Sequence, residues 1–147
     1  MKGVSVVFIA RKGLDLPISG APDSTISEAA QPNRVALLGH DYIGLRPRML
    51  VGVGDAVRLG QPVFEDRTLD GVVFTAPAAG TVAAVHRGAK RAFQALVIDL
   101  GGDDATEFSA YSDTAGNARE SVTQLLLESG LWTAFRTRPF SRTPMPG

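Results

Sequence analysis

With 147 residues, 44% of them hydrophobic and 20% charged, the chain can bury one ordinary core plus an appendage, and its composition is not that of a disordered protein. Fifteen Lys and Arg balance fifteen Asp and Glu, which leaves no net field to gather phosphate backbones, so no nucleic-acid partner is expected. The absence of cysteine excludes disulfides, thiolate zinc sites and all-cysteine iron–sulfur clusters from this stretch of chain.

Residues 4–10 (VSVVFIA) form a β-branched and aromatic run that stops at Arg11-Lys12-Gly13, as a buried strand does. The run is far short of the ~20 residues that a spanning helix needs, and no small-residue cleavage site accompanies it. The expectation is a cytosolic chain with no transmembrane segment. Gly13, Pro17, Gly20, Pro22 and Pro32 then punctuate a stretch that predicts an extended loop with brief strands. Residues 34–38 (RVALL) resume a strand, ended by Gly39. Residues 49–53, 62–65, 72–76, 81–86 and 94–100 follow as short strands bounded by Gly, Pro or Asp, the pattern of a small sandwich or barrel. Turns fall at Gly54-Asp55, Leu59-Gly60, Asp70-Gly71, Ala79-Gly80 and Gly101-Gly102. Asp70-Gly71 predicts a type I′ hairpin, because both residues tolerate positive φ.

The texture changes after Tyr111. Asn117 can cap a helix with Glu120 three residues on, Val122, Leu125 and Leu126 follow at helical spacing, and Gly130 offers a left-handed stop. Leu131, Trp132 and Phe135 form a second apolar patch, read as one helical turn, before Arg138-Pro139 ends it. Charge is placed unevenly. Asp99, Asp103, Asp104, Glu107, Asp113 and Glu120 face only Arg119, whereas Arg136, Arg138 and Arg142 stand unopposed near the end. Solvated faces explain such runs; the functional alternative is an electrostatic handle for a partner protein or an anionic membrane surface.

No catalytic or metal-binding residue stands out. Gly52-Val53-Gly54-Asp55 begins like a dinucleotide fingerprint, but the third Gly is missing and Pro62 stands where the helix belongs, so a tight turn is expected. His40 and His86 are isolated and not spaced to share a metal on one element; His86 is expected to be part-buried at a strand end. No serine lies in a Gly-x-Ser-x-Gly elbow, which argues against an independent hydrolase. Arg87-Gly88-Ala89-Lys90-Arg91 is a basic turn whose cations and backbone N–H groups could hold a phosphate or carboxylate, with the glycine permitting a nest; a solvated hairpin tip is the plainer reading. Trp132 and Phe135 beside Arg136 and Arg138 read equally as core packing or as an exposed docking surface.

Residues 54–65 (GDAVRLGQPVFE) resemble the G-D-x-V-x-x-G-x-x-L-x-E half of biotinyl and lipoyl domains, and residues 76–82 (APAAGTV) resemble their A-P-x-x-G-x-V half. In those domains the hairpin between the halves carries the lysine that takes the cofactor. Here the joining residues 66–71 (DRTLDG) hold none, and the chain has only Lys2, Lys12 and Lys90. Arg67 is no substitute, because a guanidinium stays protonated and non-nucleophilic. The resemblance implies an α+β, β-dominated fold: a barrel-sandwich hybrid with extended N-terminal loops over 1–110, and a helical segment over 111–147 leading into a downstream domain.

The flanks narrow the resemblance. Residues 12–20 (KGLDLPISG), 35–39 (VALLG), 87–91 (RGAKR) and above all 128–141 (ESGLWTAFRTRPFS) are similar, in order, to the N-terminal part of the A-subunit family of the sodium-translocating NADH:quinone oxidoreductases (Na+-NQR). This implies a peripheral subunit on the cytoplasmic side of a bacterial inner membrane, partnered by the other subunits of Na+-NQR. That complex couples NADH oxidation and ubiquinone reduction to Na+ export, with flavins and iron–sulfur centres on other subunits. This chain would carry no cofactor and would act as a structural and docking portion near quinone, with no residue assigned to quinone. Residues 1–10 do not share the similarity. Members of the family continue several hundred residues further, so the 147 residues correspond to an N-terminal portion. A lipoyl-like adaptor domain without covalent cofactor is the alternative.

Overall fold

Short runs of β-branched and aromatic residues, cut by Gly and Pro, give the chain strands too brief to stand alone, so they gather into two antiparallel sheets around one apolar interior. A computed structural model describes residues 19–21, 23–109 and 118–147. The strands are β1 (Arg34–Leu38), β2 (Pro47–Met49), β3 (Ala56–Val57), β4 (Pro62–Asp66), β5 (Val73–Thr75), β6 (Gly80–Arg87) and β7 (Phe93–Leu100), followed by helix α1 (Ala118–Glu128). Single 3-10 turns cover Gly39–Asp41, Ala89–Arg91 and Leu131–Ala134. The strand expected over residues 4–10 and the helix cap expected at Asn117 lie outside the described residues.

One sheet runs β1-β7-β6-β3 and the other β2-β4-β5. Val57, Val63, Phe64, Val72, Phe74, Ala76, Val82, Leu96 and Ile98, drawn from both sheets and their connections, form the buried core. Along β7 the side chains alternate as the pleat requires: Leu96 and Ile98 are buried while Gln94 is exposed. In β4 the alternation breaks, because the register against β5 shifts between Pro62 and Phe64; the extra residue lets Val63 and Phe64 both face inward. Phe64 stacks on Phe74 at 4.7 Å, and Tyr42 and Phe93 meet these two rings edge-on at 4.6 and 5.1 Å. Before β1, residues 23–33 hold no strand. Within that segment the Thr25 backbone N–H, and then its hydroxyl, donate to Asp23 and hold that carboxyl below the usual carboxylate range.

Gly80 fixes how closely the sheet's two long strands approach. A Cβ there would lie 2.0 Å from the Asp99 carbonyl oxygen and 3.0 Å from Ile98 Cγ2, so only glycine fits.

Three expectations are corrected. The strand expected over 49–53 is Pro47–Met49, because Asp55 Oδ2 accepts the Gly52 N–H at 2.7 Å and curls the following residues into a turn. Leu50 still donates to the Val63 carbonyl at 3.0 Å, which keeps the turn attached to β4. The two-residue strand β3, paired with Gly80 and Thr81, is too short to show a period and has no sequence signal of its own. The Asp70-Gly71 hairpin is not type I′: Gly71 has φ 75° but Asp70 is not in the positive region. The loop is instead a pair of successive turns, Leu69 N–H to Asp66 O (3.3 Å) and Val72 N–H to Leu69 O (3.2 Å).

Helix α1 ends as its sequence predicts. Ser129 N–H reaches the Leu125 carbonyl at 3.0 Å, Gly130 N–H reaches that of Leu127 at 3.1 Å, and Gly130 takes φ 74°. Leu127 and Trp132 pack against the core, whereas Val122 faces solvent.

Candidate functional site

The β4–β5 hairpin occupies the place where lipoyl-like scaffolds present their lysine, and here it is fastened down. Asp66, only 7% exposed, accepts the Thr68 N–H (2.9 Å) and hydroxyl (2.8 Å), closing an Asx turn at the base of the tip. Arg67 donates its backbone N–H to the Arg46 carbonyl at 3.0 Å, which ties the tip to the segment before β2. Leu69 packs against the core, and Leu127 of α1 lies beside Gly71, 3.9 Å from where its Cβ would be. A swinging arm needs a nucleophilic amine on a tip that a modifying enzyme can grasp. Residues 66–72 offer neither the amine nor a free-standing tip.

The second notable surface is the C-terminal segment that follows Gly130. Its start is anchored: the Thr75 hydroxyl donates to the Ser129 carbonyl at 3.3 Å, and the Thr133 hydroxyl donates to the Gly130 carbonyl at 2.8 Å. Trp132 donates its indole N–H to the Pro144 carbonyl at 3.0 Å and meets Phe135 edge-on at 5.3 Å. The loop beyond closes through Thr137 N–H to Arg142 O and Ser141 N–H to Thr137 O, both 2.8 Å. On this rigid frame Leu131 (61%), Phe140 (70%) and Met145 (73%) are left in solvent, with Phe135 half exposed beside them. The alternatives left open by the sequence are therefore divided between residues. Trp132 is partly buried packing, while Phe135 and Phe140 are surface.

The arginines divide likewise. Arg136 is turned back on the protein, its guanidinium 5.1 Å over the Tyr42 ring and hydrogen-bonded to the Thr133 and Phe135 carbonyls. Arg138 has no such contact among the described residues and faces solvent.

Other residues singled out in the sequence do not converge. His86 is exposed near the end of β6, not part-buried as expected. His40 sits in the 3-10 turn after β1, 3.4 Å from Asp41. Among the described residues no group of three or more His, Asp or Glu is placed to share a metal ion. Gly52 to Asp55 make a tight turn, pinned by Gly54 N–H to Val82 O at 2.8 Å. The basic turn at 87–91 does gain company: Arg46 and Arg67, distant in sequence, line the same cleft. No local pattern marks those two arginines, because only the tertiary fold brings them there. Among the described residues, no helix is long and apolar enough to cross a membrane.

Two short antiparallel sheets closing on one core, with a lysine-free hairpin where the carrier lysine belongs, define a lipoyl-like scaffold stripped of its arm. The chain matches the NqrA N-terminal barrel-sandwich hybrid domain over residues 8–101 and the NqrA second alpha/beta domain over residues 117–147. It belongs to the NqrA N-terminal barrel-sandwich hybrid domain family. It is 53% identical over 139 residues to the Na(+)-translocating NADH-quinone reductase NqrA protein of Cellvibrio japonicus, covering 93% of this chain and 31% of that protein. The corresponding protein of Klebsiella pneumoniae is 55% identical over 138 residues, with 92% of this chain and 31% of the relative covered. That of Pseudomonas aeruginosa is 55% identical over 139 residues, again with 92% of this chain and 31% of the relative covered. The chain thus spans about a third (31%) of the length of the curated relatives it matches.

Proposed function

We propose that the chain serves as the N-terminal portion of the NqrA subunit of a Na+-translocating NADH-quinone reductase, and that within it this portion is a cofactor-free scaffold that docks onto neighbouring subunits. The observation that carries the reading is the 53–55% identity to proteins of that name, sustained over 92–93% of the chain. In this reading residues 1–110 are the barrel-sandwich domain and residues 111–147 open the next one, a division supported by the separate match of residues 117–147 to a second domain. The complex couples NADH oxidation and quinone reduction to Na+ export, with its redox centres on other subunits. The protein sits peripherally on the cytoplasmic face of the membrane, close to quinone but with no residue of this chain assigned to it.

The geometry supports docking over chemistry. The hairpin that would carry an arm has no lysine, whereas Leu131, Phe135, Phe140 and Met145 form an exposed apolar surface next to the unengaged Arg138. Affinity purification of the tagged protein from detergent-solubilised native membranes, followed by assay of flavin content and Na+-stimulated NADH:quinone activity, tests the reading. Co-purification of flavin-bearing membrane subunits with activity is the expected result. Recovery of the protein alone and colourless would overturn it in favour of the lipoyl-like adaptor.

A further inference from the structure

We infer that the cleft between the β6–β7 turn and the segment leading into β2 is a binding site for a phosphoryl group. Arg46, Arg67, Arg87, Lys90 and Arg91, from three separate stretches of chain, line a cleft of 450 Å³ whose remaining walls include no acidic side chain. The whole protein holds fifteen cations against fifteen anions, so five cations in one concavity are a local excess that the composition conceals. The described ion pairs, Arg34 with Asp99, His40 with Asp41 and Arg48 with Glu65, involve none of the five. Converging like charges are unfavourable unless an anion completes the arrangement, and a concave wall concentrates their field.

The backbone is shaped to the same end. Lys90 and Arg91 have φ of 53° and 62°, the left-handed region that side-chain-bearing residues avoid, while the neighbouring Gly88, expected to supply the unusual conformation, has φ −94°. The strained pair is held by Gly88 N–H to Ala92 O at 2.7 Å and Arg91 N–H to Gly88 O at 3.1 Å. Strain at consecutive charged residues lining one cleft is characteristic of a ligand site and not of a solvated hairpin tip. The Arg67 to Arg46 backbone hydrogen bond fixes the opposite wall. Four of the five cations are arginines, whose planar fork pairs with two phosphate oxygens at once. A neutral protein with one cationic recess suits a compact multivalent anion better than a long polyanion, which needs an extended field.

The phosphoryl group could belong to a soluble polyphosphate compound or to a phospholipid headgroup, and the test separates them. The protein is titrated calorimetrically with sodium tripolyphosphate at low salt, and is sedimented with phosphatidylcholine vesicles containing phosphatidylglycerol. Saturable binding in either arm is expected, weakening as salt rises, and falling at least about tenfold in Arg67→Ala/Arg91→Ala. In Arg58→Ala/Arg119→Ala, which removes the same charge elsewhere, binding stays within about twofold. The substituted side chains are exposed, and melting curves establish that each variant is folded. Tripolyphosphate binding identifies a soluble ligand; binding to vesicles alone identifies a headgroup. Equal losses in the two double variants, no binding in either arm, or binding only of a polyglutamate peptide overturns the inference. The site is independent of the docking role proposed above, so failure of one leaves the other standing.

Discussion

Gly130 is the joint on which the apolar C-terminal surface turns, and its replacement by alanine should separate two costs. The residue has φ 74°, and an added Cβ would lie 2.8 Å from Thr75 Oγ1 and 2.9 Å from Thr75 Cγ2. Holding alanine in the left-handed region costs about 1 kcal/mol relative to glycine. Forcing a methyl against β-branched Thr75 in strand β5 adds about 1–3 kcal/mol. Gly130→Ala should therefore be about 2–4 kcal/mol less stable. Thr75→Ala alone loses the hydroxyl bond to the Ser129 carbonyl, worth about 1 kcal/mol. In the double variant the clash is gone and only the backbone cost remains, so the two substitutions should be non-additive by about 1–3 kcal/mol. Urea unfolding followed by fluorescence of Trp132, the only tryptophan, measures all four corners of the cycle. A Gly130→Ala protein within about 0.5 kcal/mol of the parent, or an additive double variant, would refute the reasoning.

Gly80→Ala sets a Cβ against backbone, 2.0 Å from the Asp99 carbonyl oxygen, and should cost more than about 4 kcal/mol or abolish folding; a circular dichroism melt within about 2 °C of the parent would contradict the close β6–β7 approach. Trp132→Phe keeps the ring packing but loses the indole bond to Pro144, and should cost about 1 kcal/mol and speed proteolysis of residues 141–147. An unchanged cleavage rate would mean that this bond does not anchor the tail. Arg136→Ala should lower stability by about 0.5–1 kcal/mol through loss of the Tyr42 contact. Arg138→Glu should instead leave the melting temperature unchanged and weaken capture of the membrane subunits in a salt-dependent way. If the two arginines exchanged these behaviours, the docking role of Arg138 would be wrong.

What could be read from the sequence follows the range of the interactions involved. Residues 34–38 and 94–100 announce strands β1 and β7 almost residue for residue, because β-branched runs closed by glycine depend on neighbours a few positions away. The Gly130 stop is legible for the same reason. Residues 49–53 mislead because strand propensity there competes with the Asp55 side chain, which captures the Gly52 N–H and wins. The bulge in β4 is not legible, since Val63 and Phe64 both face inward only once β5 lies beside them. At the basic turn the residue types point to an anion, but the positive φ falls on Lys90 and Arg91 and not on Gly88.

The sequence by itself determined the lipoyl-like halves around a hairpin without a lysine, because the chemistry of a carrier arm depends on one residue type at one position. It also determined the helix with its glycine stop, whose signals are local. Only the tertiary structure decided that the hairpin tip is tied down by Arg46, Leu69 and Leu127, and that Arg136 folds onto Tyr42 while Arg138 is free of such contact. It alone brought Arg46 and Arg67 into the cleft of the 87–91 turn. Each of these joins residues far apart in the chain, and such contacts arise from packing around the common core, which no local pattern records.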